Sequence, residues 1–527
     1  MIILGIGGIL GDAACALLKD GELAAAIEES KLSRLGARGG PHGELPAQAM
    51  DACLRLAGAK PEEVDSVAIV RPIPSGPDTH LRLRSAFPNA RIVLVEHQRA
   101  HAASAYYCSP FDEATVLTLD RAGDFRCGAR FHACGNQLTL DKEAHYPDSL
   151  GDLFGRVTEL LGFTANQDEH KVQWLSADGD ERYRDLFLEI MPPHNGGWPR
   201  LDRSFFDAER LKHGGFSAKF FARLDLADGA AIPAPMRAHI AAGVQRAIEA
   251  TVVAMAGQGR NLCFAGGLGL NALLVSALER CANFENVFVQ PVAGNAGTAV
   301  GAALQAWHGT YGETRRASLG NLCLGPGFTP EDTKRVLENC KLRFRYLLTT
   351  EEVIDTAVAQ LNENRIVAWM HGRMEFGPRA LGNRSILASP LDPYSTENLN
   401  AYIKHREAFR KFAASVPAEL AAEYFEVGPN ARFLATVGRV RPAYRERFSH
   451  AVLAGDFIRV HVVSPEDNPL YWKLLHAAGK ATGLPVLYNT SFNLFGEPLV
   501  CTPRDAVRSF YSSGIDAMIV GHFFLQK

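Results

Sequence analysis

The feature that most constrains this 527-residue chain is a strand-and-turn pattern that occurs twice. Apolar segments at residues 2–6, 13–18 and 22–28, separated by glycines and an acidic turn, predict a short strand followed by a hairpin. The pattern begins again with an apolar segment at 114–119, a polar turn and a returning strand at 127–132. Strand–helix units follow each copy. Two such copies indicate a duplicated α/β domain.

Two halves of this kind are the architecture of the actin-like (RNase H-like, ASKHA) nucleotide-binding folds, and we assign residues 1–308 to such a domain. Residues 309–330 are rich in Gly, Thr, Ser and Arg and are predicted to be a linker. Residues 331–527 end in a regular alternation of strands and helices and are predicted to be a second α/β domain. Because domains usually hold roughly 100–200 residues, a chain of this length is expected to contain more than one.

Composition argues against several classes of protein. The chain has 55 Lys+Arg and 58 Asp+Glu, so its net charge of -3 gives no support for nucleic-acid or anionic-membrane partners. It has no run of about 18 uncharged apolar residues and no basic leader, so we predict neither a membrane span nor a signal peptide. Its ten cysteines include no CxxC pair. That pattern argues against a zinc ribbon and favours a reducing cytoplasm.

A candidate metal site lies in the segment Glu96-His97-Gln98-Arg99-Ala100-His101. Histidines at i and i+4 share one face of a helix, so His97 and His101 can reach one ion. Asp120 ends the next strand and can supply an oxygen ligand. The alternative is a surface pair of histidines and an aspartate that only belongs to a turn.

Two glycine turns are candidate nucleotide-binding sites. In the first, a strand leads into Gly266 and Gly267 at a predicted helix start, with Asn271 nearby. In the second, Gly294 to Gly297 precede a helix of small residues. Glycines at a helix start expose backbone N–H groups that suit phosphate or ribose. The alternative is that each is a tightly packed turn.

Cations and amides in the second half of the chain indicate a site for a small phosphorylated anion. Residues 371–385 hold three arginines, including Arg379, among glycines and a proline. Lys404 and Arg410 belong to a basic cluster, and Arg406 and Arg410 would share a face if that segment were helical. The polar residues of 488–493 follow a buried strand, where open α/β sheets bind ligands. The alternative is a solvated loop and a solvated helix face.

In this order, these segments resemble the O-carbamoyltransferase family of NodU, CmcH and TobZ over nearly the whole chain. The stretches that carry the resemblance are SLGDLFGRVTELLGF (149–163), NLCFAGGLGLN (261–271), VQPVAGNAGTAVGAAL (289–304), GRMEFGPRALGNRSIL (372–387), IKHREAFRKFA (403–413) and LPVLYNTSFNLFGEPLVCTP (484–503). So many ordered matches are far more specific than any one motif alone.

The resemblance implies an actin-like domain followed by a YrdC-like α/β domain. It implies an enzyme that activates carbamoyl phosphate with ATP as carbamoyl-adenylate. The carbamoyl group is then transferred to a hydroxyl or amine of a small natural product. The implied cofactors are ATP, Mg²⁺ with the nucleotide, and a divalent metal, which is iron in some members. No nucleic-acid or membrane partner is implied, and a homodimer is left open.

The resemblance also assigns roles to individual residues. It assigns carbamoyl phosphate and adenylate chemistry to Arg379, Lys404, Arg410, Arg459, Asn489 and Ser491. It assigns nucleotide binding to Gly266, Gly267, Asn271, Gly294 and Gly297. It assigns metal ligation to His97, His101, Asp120 and Asn295.

The sequence departs from the family pattern at several positions. Gly11 stands where the family's first turn has a histidine that is a candidate for acceptor activation, and Asn295 replaces an aspartate metal ligand. An amide adds no negative charge, so we expect a weakened metal site. In the second domain, Ala408 and Lys411 replace prolines. These departures keep two alternatives open: an adenylate-forming enzyme with a different acceptor or acyl group, and a non-catalytic nucleotide-binding homologue.

Overall fold

The computed structural model describes residues 1–35, 43–73, 77–194, 198–210, 212–316, 319–494 and 496–527. Residues 317 and 318 of the predicted linker, and Phe495 of one quoted stretch, lie outside this set. The chain divides into two compact units, one made of residues 1–95 and 295–527, the other of residues 96–294. The domain limits predicted at residues 308 and 331 fall inside the first unit, and they stay a prediction.

The first unit begins with a five-stranded sheet. Its strands are β1 (Ile2–Gly7), β2 (Ala14–Lys19), β3 (Glu22–Glu28), β4 (Ser66–Val70) and β5 (Arg91–Val95). The spatial order is β3-β2-β1-β4-β5. The neighbours β1, β2 and β3 pair antiparallel, whereas β4 pairs parallel with both β1 and β5. The accompanying helices are α1 (Glu29–Ser33), α2 (Ala47–Ala57) and α3 (Pro77–Ala86).

The second unit contains a sheet of the same design. The strands of this unit are β6 (Glu113–Gly123), β7 (Arg126–Cys134), β8 (Gln137–His145), β9 (Pro193–His194), β10 (Trp198–Pro199), β11 (Gly259–Ala265) and β12 (Phe284–Val289). The order β12-β11-β6-β7-β8 mirrors that of the first sheet. Its hairpins β6–β7–β8 are antiparallel, and β11 pairs parallel with β6 and β12. The duplication predicted from the sequence is therefore confirmed.

Most of the apolar core of this second copy comes from helices and the loops between them. The helices are α4 (His97–Tyr106), α5 (Leu150–Leu160), α6 (Glu169–Leu175), α7 (Arg184–Ile190), α8 (Ala218–Arg223), α9 (Ala234–Ala256) and α10 (Ala272–Arg280). Every one of them except α4 contributes to this core. The core includes a run of phenylalanines, and the rings of Phe216 and Phe220 stack with centroids 4.1 Å apart. Among the described helices of the whole chain, none has the length and apolar character needed to cross a bilayer.

Helix α11 (Thr298–Gln305) packs on the first sheet of the first unit. A Cβ placed on Gly5 of β1 would lie only 2.0 Å from the carbonyl oxygen of Ala299. The same atom on Gly7 would lie 2.2 Å from Thr298 Oγ1. The two glycines therefore allow helix and strand to approach more closely than any other residue type permits.

The rest of the first unit is a ten-stranded mixed sheet. Its strands are β13 (Arg345–Tyr346), β14 (Val367–Met370), β15 (Arg384–Ala388), β16 (Ala413–Pro417), β17 (Phe425–Glu426), β18 (Val437–Val440), β19 (Phe457–Val463), β20 (Leu487–Ser491), β21 (Ala517–Val520) and β22 (Phe523–Gln526). They lie in the order β13-β22-β21-β14-β15-β20-β16-β19-β18-β17. The remaining helices are α12 (Pro330–Asn339), α13 (Thr350–Asn362), α14 (Ser395–Asn398), α15 (Ala421–Tyr424), α16 (Pro469–Thr482) and α17 (Pro503–Tyr511).

Side chains alternate between the two faces of this sheet, and each face has its own apolar core. One core contains Ala414 and Tyr488, and the other, which includes residues of α13 and α16, contains Leu387 and Leu487. This alternation decides which residues beyond the apolar cores share a face, and it therefore positions the second site described below.

Candidate functional site

Helix α4 begins at His97 because Glu96 caps it. The Glu96 carboxylate accepts hydrogen bonds from the backbone N–H groups of Gln98 and Arg99, at 2.9 and 2.8 Å. These are two of the N–H groups that a helix start leaves without partners. The cap sets the helical phase, so that His97 and His101 lie one turn apart on the same buried face.

The structure brings His97, His101 and Asp120 together. Asp120 Oδ2 lies 2.7 Å from His97 Nε2 and 3.3 Å from His101 Nε2, and the two Nε2 atoms are 3.2 Å apart. All three residues are buried. The alternative of a surface histidine pair is therefore wrong, whereas the role of these residues as metal ligands stays a prediction.

The charge state of this cluster follows from burial and from its internal contacts. Burial alone would raise the pKa of Asp120, but hydrogen bonds with His101 and His97 outweigh it and hold that pKa well below its ordinary value. Burial lowers the pKa of His101, and the nearby Asp120 offsets this only in part. The cluster thus presents a carboxylate and an imidazole that favours its neutral form, which are the states that bind metals.

The donor set fits a divalent metal ion. With bonds of about 2.1 Å, neighbouring ligand atoms of an octahedral site lie about 3.0 Å apart, close to the three distances observed here. His101 Nδ1 is buried and has no hydrogen-bond partner among the described residues. A proton on Nδ1 would leave the Nε2 lone pair free to coordinate.

Two glycines shape the space around this cluster. A Cβ on Gly123 would lie 2.0 Å from His97 Cδ2, so the imidazole packs directly against the backbone of β6. A Cβ on Gly267 would lie 3.0 Å from Asp120 Oδ1. The first predicted nucleotide turn is therefore adjacent to the predicted metal ligand, and any side chain at Gly267 would press on that carboxylate.

The first glycine turn has the geometry expected of a strand that runs into a helix start. Gly266 has a φ of 94°, and a Cβ there would lie 2.1 Å from the carbonyl oxygen of Leu119. Asn271 caps α10 by accepting a hydrogen bond from Leu274 N at 3.1 Å, and it also exchanges hydrogen bonds with Gln245. Asn271 thus has a structural role, and its predicted role towards the nucleotide stays a prediction.

The second glycine turn lies where the two units join in the chain. Gly294 closes the second unit, and a Cβ there would lie 3.3 Å from Leu270 Cδ1. Asn295 and Gly297 belong to the first unit, in a 3₁₀ turn that leads into α11. Asn295 O accepts a hydrogen bond from Thr298 Oγ1 at 2.5 Å. The roles of Asn295 in metal binding and of the glycines in nucleotide binding stay predictions.

A second site lies on the ten-stranded sheet, where strand register brings distant residues into one row. Ala413 of β16 pairs with Asn489 of β20 on one side and with Arg459 of β19 on the other. Paired residues point to the same face of the sheet. Asn489 and Arg459 lie on strands separated by one intervening strand, so their backbones are about 10 Å apart. The small side chain of Ala413 therefore leaves an opening between an amide and a guanidinium.

Lys404 is the buried centre of this site. It ends a π-helical turn, Leu399–Lys404, a form of helix that is frequent at functional sites. Its Nζ donates to Ser491 O at 2.5 Å, Asn493 O at 2.9 Å and Asn493 Oδ1 at 2.8 Å. Ser491 Oγ lies 3.4 Å from the same nitrogen. A lysine from residues 399–404 is thus held over the end of β20.

Four arginines act electrostatically on one another around this lysine. Burial, followed by the charge of Arg410, lowers the pKa of Arg379 to about 10 and that of Arg406 to about 9. Burial, followed by Arg379, Arg406 and Arg410, lowers the pKa of Arg459 well below its ordinary value. Burial, followed by Arg406 and Arg410, does the same to Lys404. Glu407 lies 4.0 Å from Arg410 and offsets only part of the effect on the pKa of Arg406. The remaining clustered positive charge is unfavourable and would be relieved by a bound anion.

The loop that carries Arg379 is not solvated. Arg384 is fully buried, and its guanidinium donates to the carbonyl oxygens of His371 at 2.6 Å and Gly372 at 3.2 Å. Arg373 donates to Gly325 O at 3.0 Å. Two of the three arginines, Arg373 and Arg384, thus bind backbone carbonyl oxygens of the protein. Arg379 instead interacts electrostatically with the cluster around Lys404, through Arg410.

Sequence reasoning assigned no role to two contributors to this second site, Asn400 and Asn493. Residues 405–412 are not helical, so the shared face expected for Arg406 and Arg410 does not exist. Asn400 instead organises this segment: its Oδ1 accepts from Arg406 Nε at 2.7 Å and its Nδ2 donates to Arg410 O at 3.0 Å. Asn493 holds Lys404. Only the NTSFN run of residues 489–493, an amide-rich segment after a buried strand, could have pointed to Asn493.

Comparison with known proteins defines the class. Residues 77–304 match the family described as carbamoyltransferase N-terminus, and residues 358–527 match carbamoyltransferase C-terminus. An uncharacterised protein of Synechocystis is 33% identical, with 100% of this chain and 96% of that protein covered. The nodulation protein NolNO of Sinorhizobium fredii is 31% identical over 98% of this chain and 79% of its own.

A relative with a named activity matches over a shorter region. The 3′-hydroxymethylcephem-O-carbamoyltransferase of Amycolatopsis lactamdurans is 32% identical over 51% of this chain and 49% of its own. The chain belongs to the carbamoyltransferase family and is an enzyme of this type. The predicted resemblance to the NodU and CmcH group is confirmed, and so is the α/β fold class, with the duplicated sheet expected of an actin-like domain followed by a second α/β region. The description of that second region as YrdC-like stays a prediction.

Proposed function

We propose that this carbamoyltransferase activates carbamoyl phosphate with ATP as carbamoyl-adenylate and passes the carbamoyl group to a hydroxyl or amine of a small natural product. The observation that carries the proposal is the cation cluster around Lys404. Burial and mutual repulsion disfavour the charged forms of Arg379, Arg406, Arg459 and Lys404. A phosphorylated substrate would neutralise them and form charge-assisted hydrogen bonds in return.

The uncharged groups of the site suit the carbamoyl end of such a substrate. Asn489 Nδ2 donates to Ala380 O at 3.1 Å, whereas Asn489 Oδ1 is buried and has no hydrogen-bond partner among the described residues. A buried acceptor of this kind calls for a donor, since leaving it unsatisfied costs about 1–3 kcal/mol. The carbamoyl NH₂ group offers one. We therefore assign the phosphate to the cations and the carbamoyl group to Asn489, with Ser491 beside it.

The proposed reaction has two activation steps and one transfer step. Water converts carbamoyl phosphate to phosphate and carbamate. A carbamate oxygen then attacks the α-phosphorus of ATP, forms the carbamoyl-adenylate bond and displaces pyrophosphate. In transfer, the acceptor oxygen or nitrogen attacks the carbamoyl carbon, AMP leaves, and the acceptor proton is lost to a base. Cations already in place stabilise the charge that develops on the phosphates without reorganising at the moment of reaction.

We further propose that the transfer site holds ATP-derived nucleotide and a metal ion. His97, His101 and Asp120 would hold a divalent ion, and Mg²⁺ would accompany the nucleotide. Iron is the ion we favour, because two histidines and one carboxylate with open positions form the ligand set of non-haem iron(II) sites. When bound, the ion would supply Lewis acidity towards a phosphate or carbonyl oxygen. Gly266 and Gly267, beside Asp120, would allow close approach of the nucleotide.

The acceptor and the setting are also proposals. The name of the Amycolatopsis relative specifies a hydroxymethyl acceptor, which supports a hydroxyl here. Gly11 cannot accept a proton, so the acceptor's proton must go to another base. We place the reaction in the cytoplasm, where carbamoyl phosphate and ATP are both made.

Pyrophosphate release tests the proposal. Purified protein with ATP and carbamoyl phosphate, without acceptor, should release pyrophosphate, and Arg379→Ala should lose most of that activity, since a lost charge-assisted contact costs about 1.5–3 kcal/mol. Arg335→Ala is the matched control, because Arg335 lies exposed on α12 and pairs with Asp332 at 3.2 Å. Unchanged pyrophosphate release in Arg379→Ala would refute the assignment. Mass spectrometry with candidate acceptors would then identify the product.

A further inference from the structure

Arg379 sits in a short segment whose backbone is held at both ends. At one end, Gly377 N donates to Glu28 Oε1 at 2.9 Å, and Lys31 Nζ donates to Gly377 O at 2.7 Å. At the other end, Ala380 O accepts the hydrogen bond from Asn489 Nδ2. Only Pro378 and Arg379 lie between these two attachments, and proline has a fixed φ. The direction of the Arg379 side chain is therefore set by what holds Gly377 and Ala380.

The loop around this segment is also organised from within. Glu375 Oε1 accepts hydrogen bonds from the backbone N–H groups of Leu381 at 2.8 Å, Asn383 at 2.8 Å and Arg384 at 3.1 Å. Lys31 Nζ donates to the Glu375 carbonyl oxygen at 2.9 Å. Lys31 therefore binds two carbonyl oxygens of the loop, those of residues 375 and 377.

The residues that hold Gly377 come from the other end of the chain. Glu28 ends β3 and Lys31 lies in α1, roughly 350 residues before the loop that they bind. Their side chains pair at 2.9 Å and are only 10% and 7% exposed. Burying a lysine is costly unless acceptors match its donors. Two acceptors of Lys31 are the carbonyl oxygens of Glu375 and Gly377, which belong to the loop. The third is the carboxylate of Glu28, which itself binds the loop.

We propose that Glu28 and Lys31 are positioning residues for Arg379. The N-terminal segment next to the first sheet would then control the second site, where carbamoyl phosphate is proposed to bind. This inference rests on the proposed function, in which Arg379 contacts carbamoyl phosphate. Glu28 and Lys31 do not touch the substrate. They act through Gly377, because release of that residue would free the backbone beside Arg379 to rotate.

The test separates substrate binding from general loss of structure. In acceptor-free pyrophosphate release, Lys31→Met should raise KM for carbamoyl phosphate by about 10- to 100-fold, since small misplacement of a binding group has effects of that size. KM for ATP and the melting temperature should change far less. Glu28→Gln keeps an acceptor for Gly377 N and should stay closer to the wild type than Glu28→Ala.

Arg373→Met is the matched control. Arg373 also joins the loop to the N-terminal segment, by donating to Ala24 O at 3.1 Å, but it holds neither Gly377 nor Ala380. It should leave KM for carbamoyl phosphate within about twofold of the wild type. If Arg373→Met and Lys31→Met raise KM equally, the effect is general loosening of the loop and the inference is wrong.

A double-mutant cycle completes the test. If Lys31 acts through Arg379, adding Lys31→Met to Arg379→Ala should cause little further loss, because coupled residues are not additive. Fully additive losses would overturn the inference while leaving the proposed function intact. An Arg379→Ala variant with normal pyrophosphate release would overturn the proposed function itself. Should Lys31→Met fail to fold, the comparison of Glu28→Gln with Glu28→Ala decides, and equal KM values for those two overturn the inference.

Discussion

Replacing Arg379 by glutamine should stabilise the ligand-free enzyme while weakening its substrate binding. Arg379 is half-buried near other cations, and burial, followed by the charge of Arg410, lowers its pKa from the ordinary value to about 10. Charged Arg379 is thus disfavoured in the folded protein relative to the unfolded chain. Glutamine removes the charge and keeps a polar, although shorter, side chain.

The size of the effect follows from that pKa. One pKa unit corresponds to about 1.4 kcal/mol, so a pKa of about 10 corresponds to about 3 kcal/mol against the charged form. At this group, the unfolded chain binds more protons than the folded one only between about pH 10 and the ordinary pKa of arginine, so wild-type stability rises with pH in that window. Below pH 10 the penalty is complete. Because the contacts of Arg379 are lost as well, we expect a net stabilisation of about 1–2 kcal/mol at neutral pH.

Thermal melting with and without carbamoyl phosphate measures both effects. A ligand at 100 times its Kd stabilises the wild type by about 2.7 kcal/mol. Losing a contact of about 1.5–3 kcal/mol raises Kd by about 10- to 150-fold, so at the same ligand concentration about half to nine-tenths of that stabilisation should vanish in Arg379→Gln. Arg335→Gln, which removes an exposed arginine from α12, should change neither quantity appreciably.

Two results would refute this reasoning. A lower melting temperature of ligand-free Arg379→Gln would show that the guanidinium is stabilising in the absence of an anion. Undiminished stabilisation by carbamoyl phosphate in the variant would show that the anion binds elsewhere. Both together would remove the electrostatic argument for the site.

Three further outcomes are expected. His97→Ala should lose the metal that the wild-type protein binds, measured by elemental analysis, and equal metal content in both would end the metal assignment. A Cβ on Gly267 would lie 3.0 Å from Asp120 Oδ1, so Gly267→Ala should weaken metal affinity in titrations, and Gly267→Val should also weaken nucleotide binding. The control Gly155→Ala, whose Cβ would lie 3.6 Å from Glu169 Oε1, should change neither affinity. Phe125 has a φ of 64° and is 82% exposed at the tip of the β6–β7 hairpin, so Phe125→Gly should raise stability by about 1 kcal/mol in urea unfolding, and a loss of stability would show that the ring has a partner.

Part of the candidate site could be predicted from the sequence because it depends on local geometry. Spacing of i and i+4 places two side chains on one helix face wherever the helix lies, and Glu96 supplies the cap that starts the helix at His97. Glycines between a strand and a helix predict a turn for the same reason. The duplicated hairpins likewise follow from turn residues and apolar alternation, which act over a few residues.

Only the tertiary structure decided how distant segments share the second site. Asn489, Ala413 and Arg459 form one row because of strand register, and a slip of one residue would turn each side chain to the other face. No local signal distinguishes Arg379, in the cation cluster, from Arg384, which binds backbone carbonyl oxygens, since each stands two residues after a glycine.

The contact of Glu28 and Lys31 with Gly377 shows the same limit most clearly. Read in the chain, this pair is an ordinary i,i+3 ion pair at a helix start. Its partners lie roughly 350 residues away, and a buried polar group is satisfied by whichever donor or acceptor the fold brings near. Local geometry decides the helix and the pair, whereas long-range packing decides what the pair holds in place.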